Sequence, residues 1–322
     1  MSPHAERLAR ELTAIETFLR DETERLPALV RPVAAHVLAA GGKRFRPMLT
    51  VLFARLLGLE GDGVYPLAAS LELLHSATLL HDDILDGARL RRGKTAAHLE
   101  FSRSEAILAG DALLALANRL VADYEVPRLV SVLSEAVLRT AVGEIAEIAA
   151  SRELELSEEG YLEIITGKTA YLIQAATSVG AIAAGAPKDA VERAESFGLN
   201  MGIAFQLVDD ALDYTSLPEV SGKPAGSDLR EGKLTLPLLF FLSSLPPAER
   251  AGLLGRIKDK SLAEADVEEI VGRIRAEGHA AATRERAAAY VADAAEALSG
   301  LPGGWAADVL SDSLQYVLAR QK

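Results

Sequence analysis

Six aspartates in two copies of one pattern carry the densest chemistry in this chain. Asp82, Asp83 and Asp86 stand in LLHDDILDG, and Asp209, Asp210 and Asp213 stand in FQLVDDALDY. On a helix, residues four apart share one face, about 6 Å apart along the axis. Asp82 and Asp86 therefore point the same way and repel each other unless a cation sits between them. A donor set of oxygens alone suits Mg²⁺, with Mn²⁺ as a substitute; Mg²⁺ takes one or two carboxylates and fills its shell with water and phosphate oxygens. A lone DxxxD is more often a solvated helix end. The repeat, each copy behind an apolar helical run, leads us to expect two acidic walls lining one metal-filled cleft.

What such metals would hold is indicated by the cations. GGKRFRP (Gly41–Pro47) sets Lys43, Arg44 and Arg46 after two glycines at the start of a helix, where free backbone N–H groups and guanidinium forks favour phosphate. Arg91 and Arg92 follow the first acidic motif, and Lys168, Lys223 and Lys233 each stand beside a glycine. A nucleotide-binding P-loop is excluded, because the glycine it needs five residues before Gly167 is Leu162. The clusters fit a site for two diphosphates. His75 lies two turns before Asp82, about 10.5 Å along the axis, on nearly the same face. Taken alone it reads as a core histidine. Glu72 and His75 also form an ExxH pair, but a di-iron bundle needs a second, and the chain has none.

The elements that must position these groups are helices. Of 322 residues, 49% are hydrophobic and only 5% aromatic, and helical periodicity recurs where strand alternation does not. Helices are predicted near 4–24, 27–40, 44–58, 64–87, 103–122, 127–151, 157–185, 188–214, 233–243, 264–277, 278–299 and 303–320, with Ser157 capping one of them. No Pro-, Gly- or Ser-rich linker divides the chain, so residues 1–322 are expected to form a single all-α domain. A net charge of −12 argues against a nucleic-acid partner. The absence of cysteine excludes disulfides and thiolate chemistry and suits a cytoplasmic location. The N-terminal stretch has no apolar signal core. The uncharged run Thr169–Pro187 is too weakly hydrophobic for a membrane span and reads as a core helix.

Together, GGKRFRP, LLHSATLLHDDILDGARLRRGK, ILAGD (Ile107–Asp111), ITGKTA, GIAFQLVDDALDY and GKPAGSDLREGKLTLP resemble the trans-isoprenyl diphosphate synthases (the polyprenyl synthetase family). The order and spacing match from about Leu26 onward, and the likeness is greatest to long-chain, octaprenyl-type bacterial enzymes. One departure is Thr95, where proline is common. The resemblance implies antiparallel helices around a central cavity, a homodimer, and a 1′–4 condensation of an allylic diphosphate (geranyl or farnesyl) with isopentenyl diphosphate. It implies Mg²⁺ on Asp82, Asp86 and Asp209, with Asp83, Asp210 and Asp213 in support. Arg91, Lys168, Thr169 and Lys233 would hold the allylic diphosphate, with Lys223 nearby and Gln206 shaping that site. Lys43, Arg46, His75 and Arg92 would hold isopentenyl diphosphate. Contact with a membrane would be at most peripheral, through the lipid product.

Two rivals are weighed on the same residues. A class I terpene cyclase has no need of GGKRFRP or His75, and a non-catalytic subunit of a heteromeric synthase would have lost an acidic motif. In the family, bulky aromatics four or five residues before the first motif stop growth early. Here those positions are Thr78 and Ala77, and steps of three lead on to Leu74 and Leu71, about 4.5 Å each. Products longer than farnesyl are expected, of long-chain, octaprenyl-like length, with geranylgeranyl as the runner-up.

Overall fold

A helical stretch with no polar stripe must be enclosed, and the N-terminal half of Val64–Leu85 (α4) largely is. Leu67, Ala68, Ala69, Leu71, Leu73, Leu74 and Ala77 are at most 1% exposed. The structure is a computed structural model that describes residues 4–216 and 225–320. Around α4 pack Ala5–Arg25 (α1), Arg31–Leu38 (α2), Phe45–Leu56 (α3), Ala97–Glu100 (α5) and Arg103–Ala122 (α6). Ser102 caps α6, accepting from the Glu105 amide at 3.1 Å.

Between α4 and α5 the chain makes a hairpin that helical periodicity does not foretell. Leu90–Arg91 (β1) pairs antiparallel with Lys94–Thr95 (β2) through a two-residue turn at Arg92 and Gly93. Both turn residues have positive φ, 51° and 77°, the geometry that matches the twist of a tight hairpin. Strands of two residues are too short to show any alternation.

The chain continues through Pro127–Glu153 (α7), Glu158–Ile165 (α8), a π-helical turn at Thr166–Ala170, Tyr171–Ala183 (α9) and Lys188–Thr215 (α10). Then follow Ser227–Glu231 (α11), Leu236–Ser244 (α12), Pro247–Lys258 (α13), Glu264–Ala276 (α14), His279–Ser299 (α15) and Trp305–Ala319 (α16). The fold is all-α. Two compact units divide it: Met1–Val137 with Ala175–Glu195 and Leu301–Leu310, and Leu138–Gln174 with Ser196–Gly300 and Ser311–Lys322. The second unit has its own core, centred on Tyr214, Leu238, Phe241 and Ile274, all at most 1% exposed.

Ser157 caps α8 as expected, accepting from the Gly160 amide at 3.1 Å. The single helix expected over 157–185 is instead interrupted by the π-helical turn. Helix α13 was not anticipated; Pro247 reads as a breaker but is tolerated in a first helical turn. Thr169–Pro187 supplies α9, whose Leu172, Ile173, Ala176 and Val179 are buried. Among the described residues, no helix is long and apolar enough to cross a membrane.

Candidate active site

In the first unit, Gly41 takes φ +74°, a conformation natural to glycine, and Arg44 follows in the left-handed region at φ 45° just before α3. That turn drives Arg44 inward, where Nε donates to Glu16 Oε1 at 2.6 Å, Nη1 to Glu72 Oε1 at 2.6 Å and Nη2 to the Leu38 carbonyl at 2.8 Å. Arg44 is therefore a structural cation, balanced by two carboxylates. Arg46, in the first turn of α3, is different. Its Nε is buried with no hydrogen-bond partner, and burial pushes its pKa down to about 10 against the pull of Glu72.

Arg92 lies against the backbone of Gly42, where a Cβ would stand 2.5 Å from Nη1. His75, on α4, is held well below the usual imidazole range, first by burial and then by Arg46, Arg92, Arg91 and Arg44. The structure thus gathers Arg46, His75 and Arg92 into one positive neighbourhood containing a neutral imidazole. Lys43, beside Arg44, is exposed. Glu16 and Glu72 are partners that the basic motif by itself does not reveal.

The first acidic motif closes α4. The Asp86 amide donates to the Asp82 carbonyl at 2.8 Å, which fixes the two residues one turn apart, with Asp82 half-buried and Asp86 exposed. Asp83 is buried and accepts both Nε, at 2.7 Å, and Nη2 of Arg91. Arg91, expected to hold a diphosphate, here grips that aspartate. His81, from the neighbouring position, faces Gly110 of ILAGD, where a Cβ would stand 2.3 Å from Nε2, and lies 3.8 Å from Asp111 Oδ1. Ala77, Leu74 and Leu71 are buried along α4, and Thr78 is half-buried.

In the second unit, the π-helical turn carries Lys168. Gly143 of α7 meets it backbone to backbone, since a Cβ there would stand 2.4 Å from the Lys168 nitrogen. Gly202 of α10 does the same against Ala170, at 2.5 Å. Lys168 Nζ sits 2.7 Å from Glu144 and 2.6 Å from Glu147. Burial alone would lower its pKa, but these two carboxylates outweigh it and push the ammonium above its ordinary range. Neither glutamate is signalled by the lysine motif, although both lie one turn apart on α7.

Thr169 donates to Gln206 Oε1 at 2.9 Å, and Gln206 Nε2 donates to Asp210 Oδ1 at 2.7 Å. Tyr161 donates to the other Asp210 oxygen. Burial pushes Asp210 up to about 7, with Asp209 adding to the effect and the two hydrogen bonds opposing it. Asp213 accepts the Ser227 hydroxyl and the amides of Ser227, at 3.2 Å, and Asp228, at 3.0 Å, so it anchors α11. Asp209 is exposed and accepts from Arg320 Nη2 at 2.9 Å. Lys233 pairs with Glu231 at 2.7 Å. Lys223 lies outside the described residues.

Among the described residues, no three acidic or histidine side chains close on one point to cage a metal. Mg²⁺ does not require that, since it keeps several waters and ligand oxygens. Oxygen-only donors one turn apart at Asp82 and Asp86 fit such an ion. The chain matches the family described as Polyprenyl synthetase over residues 27–274. It belongs to that family. Family members are prenyltransferase enzymes, and this chain is one.

Octaprenyl diphosphate synthase of Escherichia coli (strain K12) is 34% identical over 294 residues, 91% of either chain. A decaprenyl diphosphate synthase structure from Rhodobacter capsulatus superposes with a TM-score of 0.92 and 38% identity, covering 99% of this chain and 98% of that one. A polyprenyl synthase from Caulobacter crescentus CB15, solved in complex with calcium and isoprenyl diphosphate, gives 0.90 and 40%, covering 98% of each.

Proposed function

We propose that this polyprenyl synthetase condenses an allylic prenyl diphosphate, geranyl or farnesyl, with isopentenyl diphosphate in a 1′–4, trans reaction that yields a long-chain, octaprenyl-like product. The observation that carries this reading is the excess of cation around His75. Arg44 is neutralised by Glu16 and Glu72, and Arg91 by Asp83, but Arg46 and Arg92 have no carboxylate partner among the described residues. The buried Nε of Arg46 lacks a hydrogen-bond partner, which is costly, and Arg92 is exposed near it; a diphosphate would meet both with charge and bidentate geometry. Lys43, Arg46, His75 and Arg92 are assigned to the isopentenyl diphosphate.

His75 is neutral there and can accept or donate one hydrogen bond without adding charge. Lys168, Thr169, Gln206 and Lys233, with Arg91 and Lys223, are assigned to the allylic diphosphate. Asp82, Asp86 and Asp209 would hold Mg²⁺, or Mn²⁺, while Asp83, Asp210 and Asp213 keep the motif backbones in place through their hydrogen bonds. Bound Mg²⁺ would neutralise the charge that develops on the departing diphosphate. Lys168 is assigned to the same purpose; Glu144 and Glu147 keep its ammonium protonated and oriented, and the diphosphate would have to draw it from them. The apolar α4 face at Ala77, Leu74 and Leu71 would shelter the allylic cation and the growing chain from water.

The working form is proposed to be a single polyprenyl synthetase domain in a cytoplasmic homodimer. Leu99, Ile107 and Leu108 support the homodimer alone, being apolar side chains 53%, 43% and 64% exposed between residues 99 and 108 of the first unit. Incubation of the purified chain with Mg²⁺, farnesyl diphosphate and isopentenyl diphosphate, followed by product sizing, tests the reading. A polyprenyl diphosphate of about six to eight isoprene units or more is expected. A geranylgeranyl product would correct the length, and a cyclised hydrocarbon would refute the reaction.

A further inference from the structure

The first unit holds another pocket, of about 400 Å³, lined by none of the residues assigned to the reaction. Arg7, Arg10 and Glu11 reach it from α1, Arg55 from the end of α3, Tyr65 from the start of α4 and Trp305 from the start of α16. Its floor is already satisfied. Arg55 Nε and Nη2 donate to the two oxygens of Glu11 at 2.9 and 3.3 Å, Nη1 donates to the Leu59 carbonyl at 2.8 Å, and the Tyr65 hydroxyl donates to Glu11 at 2.9 Å. Arg55 and Glu11 therefore cancel.

Arg7 and Arg10 do not cancel against anything so close. Neither has a carboxylate partner among the described residues, and the Arg7 guanidinium stands 5.5 Å over the Trp305 ring. Glu60 is the remaining acid of the lining, and it is exposed. Two guanidinium groups thus face one carboxylate, in a chain whose net charge is −12. Arg7 and Arg10 are three residues apart on one helix, about 4.5 Å along its axis, a spacing that two phosphate groups can span. Guanidinium forks match phosphate oxygens in pairs. The indole adds an apolar wall for carbon attached to the phosphate.

We propose that this pocket is a second binding site, distinct from the reaction site, for a phosphate- or diphosphate-bearing anion. Trp305 is the chain's single tryptophan, so its fluorescence reports on the pocket directly. The full-length, metal-free protein is titrated with inorganic diphosphate, and separately with vesicles of phosphatidylglycerol or of neutral phosphatidylcholine, at constant ionic strength. A saturable change with diphosphate assigns a free anion, and one with phosphatidylglycerol vesicles alone assigns a lipid headgroup.

Arg7→Ala with Arg10→Ala removes two charge-assisted contacts and should weaken the binding about tenfold or more, while turnover stays at the wild-type rate. Both side chains are exposed, so the double variant should fold. If it does not, Arg10→Gln measured by calorimetry replaces it. Lys43→Ala should leave the fluorescence response intact. No saturable change with any probe, an equal change with chloride, an unaltered response in the arginine variants, or loss of response in Lys43→Ala would each overturn the proposal.

Discussion

Ala77→Phe puts a phenyl ring where the chain now has a single methyl, at a position that is 0% exposed. Two outcomes are separable in advance. If solid protein surrounds Ala77, the ring overpacks the core and costs about 1–3 kcal/mol. At about 2.1 cal/mol/K of unfolding entropy per residue, each 1 kcal/mol lowers the Tm of a 322-residue chain by roughly 1.5 °C, so a fall of about 1.5–4.5 °C follows. If Ala77 borders the channel that receives the growing chain, the ring enters that channel. Tm then changes little, and the product shortens to farnesyl or geranyl length. Leu74 and Leu71 lie one and two steps deeper, each about 4.5 Å, close to the length of an isoprene unit. Leu74→Phe should therefore stop growth about one unit later than Ala77→Phe. The assay pairs product sizing with a melting curve on the same preparation. Wild-type chain length in Ala77→Phe, with or without a Tm change, would show that the channel runs elsewhere. Shortening that appears only alongside a large loss of stability would mean distortion rather than blockage.

Asp82→Ala or Asp209→Ala should lower turnover by about a hundredfold or more, the scale of losing a main electrostatic stabiliser, and EDTA should abolish it; full activity in EDTA would refute the metal assignment. Lys43→Ala and Arg92→Ala should chiefly raise KM for isopentenyl diphosphate, a group held alike before and during reaction, whereas Lys168→Ala should lower kcat. One shared kinetic pattern in all three would undo the division of the basic residues. Arg44→Ala leaves the buried Glu72 and the half-exposed Glu16 facing an emptied site, and should cost about 3–5 kcal/mol in denaturant unfolding; an unchanged midpoint would refute its structural role. His75 has a folded-state pKa below its unfolded value of about 6.5. The unfolded chain therefore takes up the proton first, and stability is lost as pH falls through that value. Asn in place of His75 should flatten the acid side of the Tm profile, and an unchanged slope would count against this.

Much of the helical framework was legible because helical periodicity is local. An apolar run ending in DDxxD must deliver its aspartates at a helix end, and α4 and α10 do so. Partners that lie far along the chain were not legible. Lys168 finds Glu144 and Glu147 only because Gly143 and the π-helical turn let two backbones meet. Asp210 finds Tyr161, and Asp209 finds Arg320 at the far end of the sequence. No spacing rule connects these positions. Asp83 and Arg91 are eight residues apart, yet their contact needs the chain to turn back after α4, where Gly87 takes φ 62°. The short α11 escaped notice for a related reason. Five residues carry no periodicity, and its start depends on Asp213 capping from a different helix.

The two DDxxD motifs look equivalent as strings and are not equivalent as structures. Neighbouring helical residues point about 100° apart, so the paired aspartates meet different surroundings. In each motif the second aspartate turns inward, Asp83 at 3% and Asp210 at 5% exposure, and each is fixed by donors, Arg91 for one and Tyr161 with Gln206 for the other. The first aspartates, Asp82 and Asp209, are less buried. The motifs then diverge at the last position. Asp86 is exposed at the end of α4, while Asp213 is committed to Ser227 and Asp228. The first motif thus presents two less-buried carboxylates one turn apart, and the second presents one, which pairs with Arg320. Mg²⁺ prefers few protein ligands and many waters or phosphate oxygens. Under the proposed assignment, the first motif would meet the metal with two carboxylates one turn apart, and the second with one carboxylate that also pairs with Arg320.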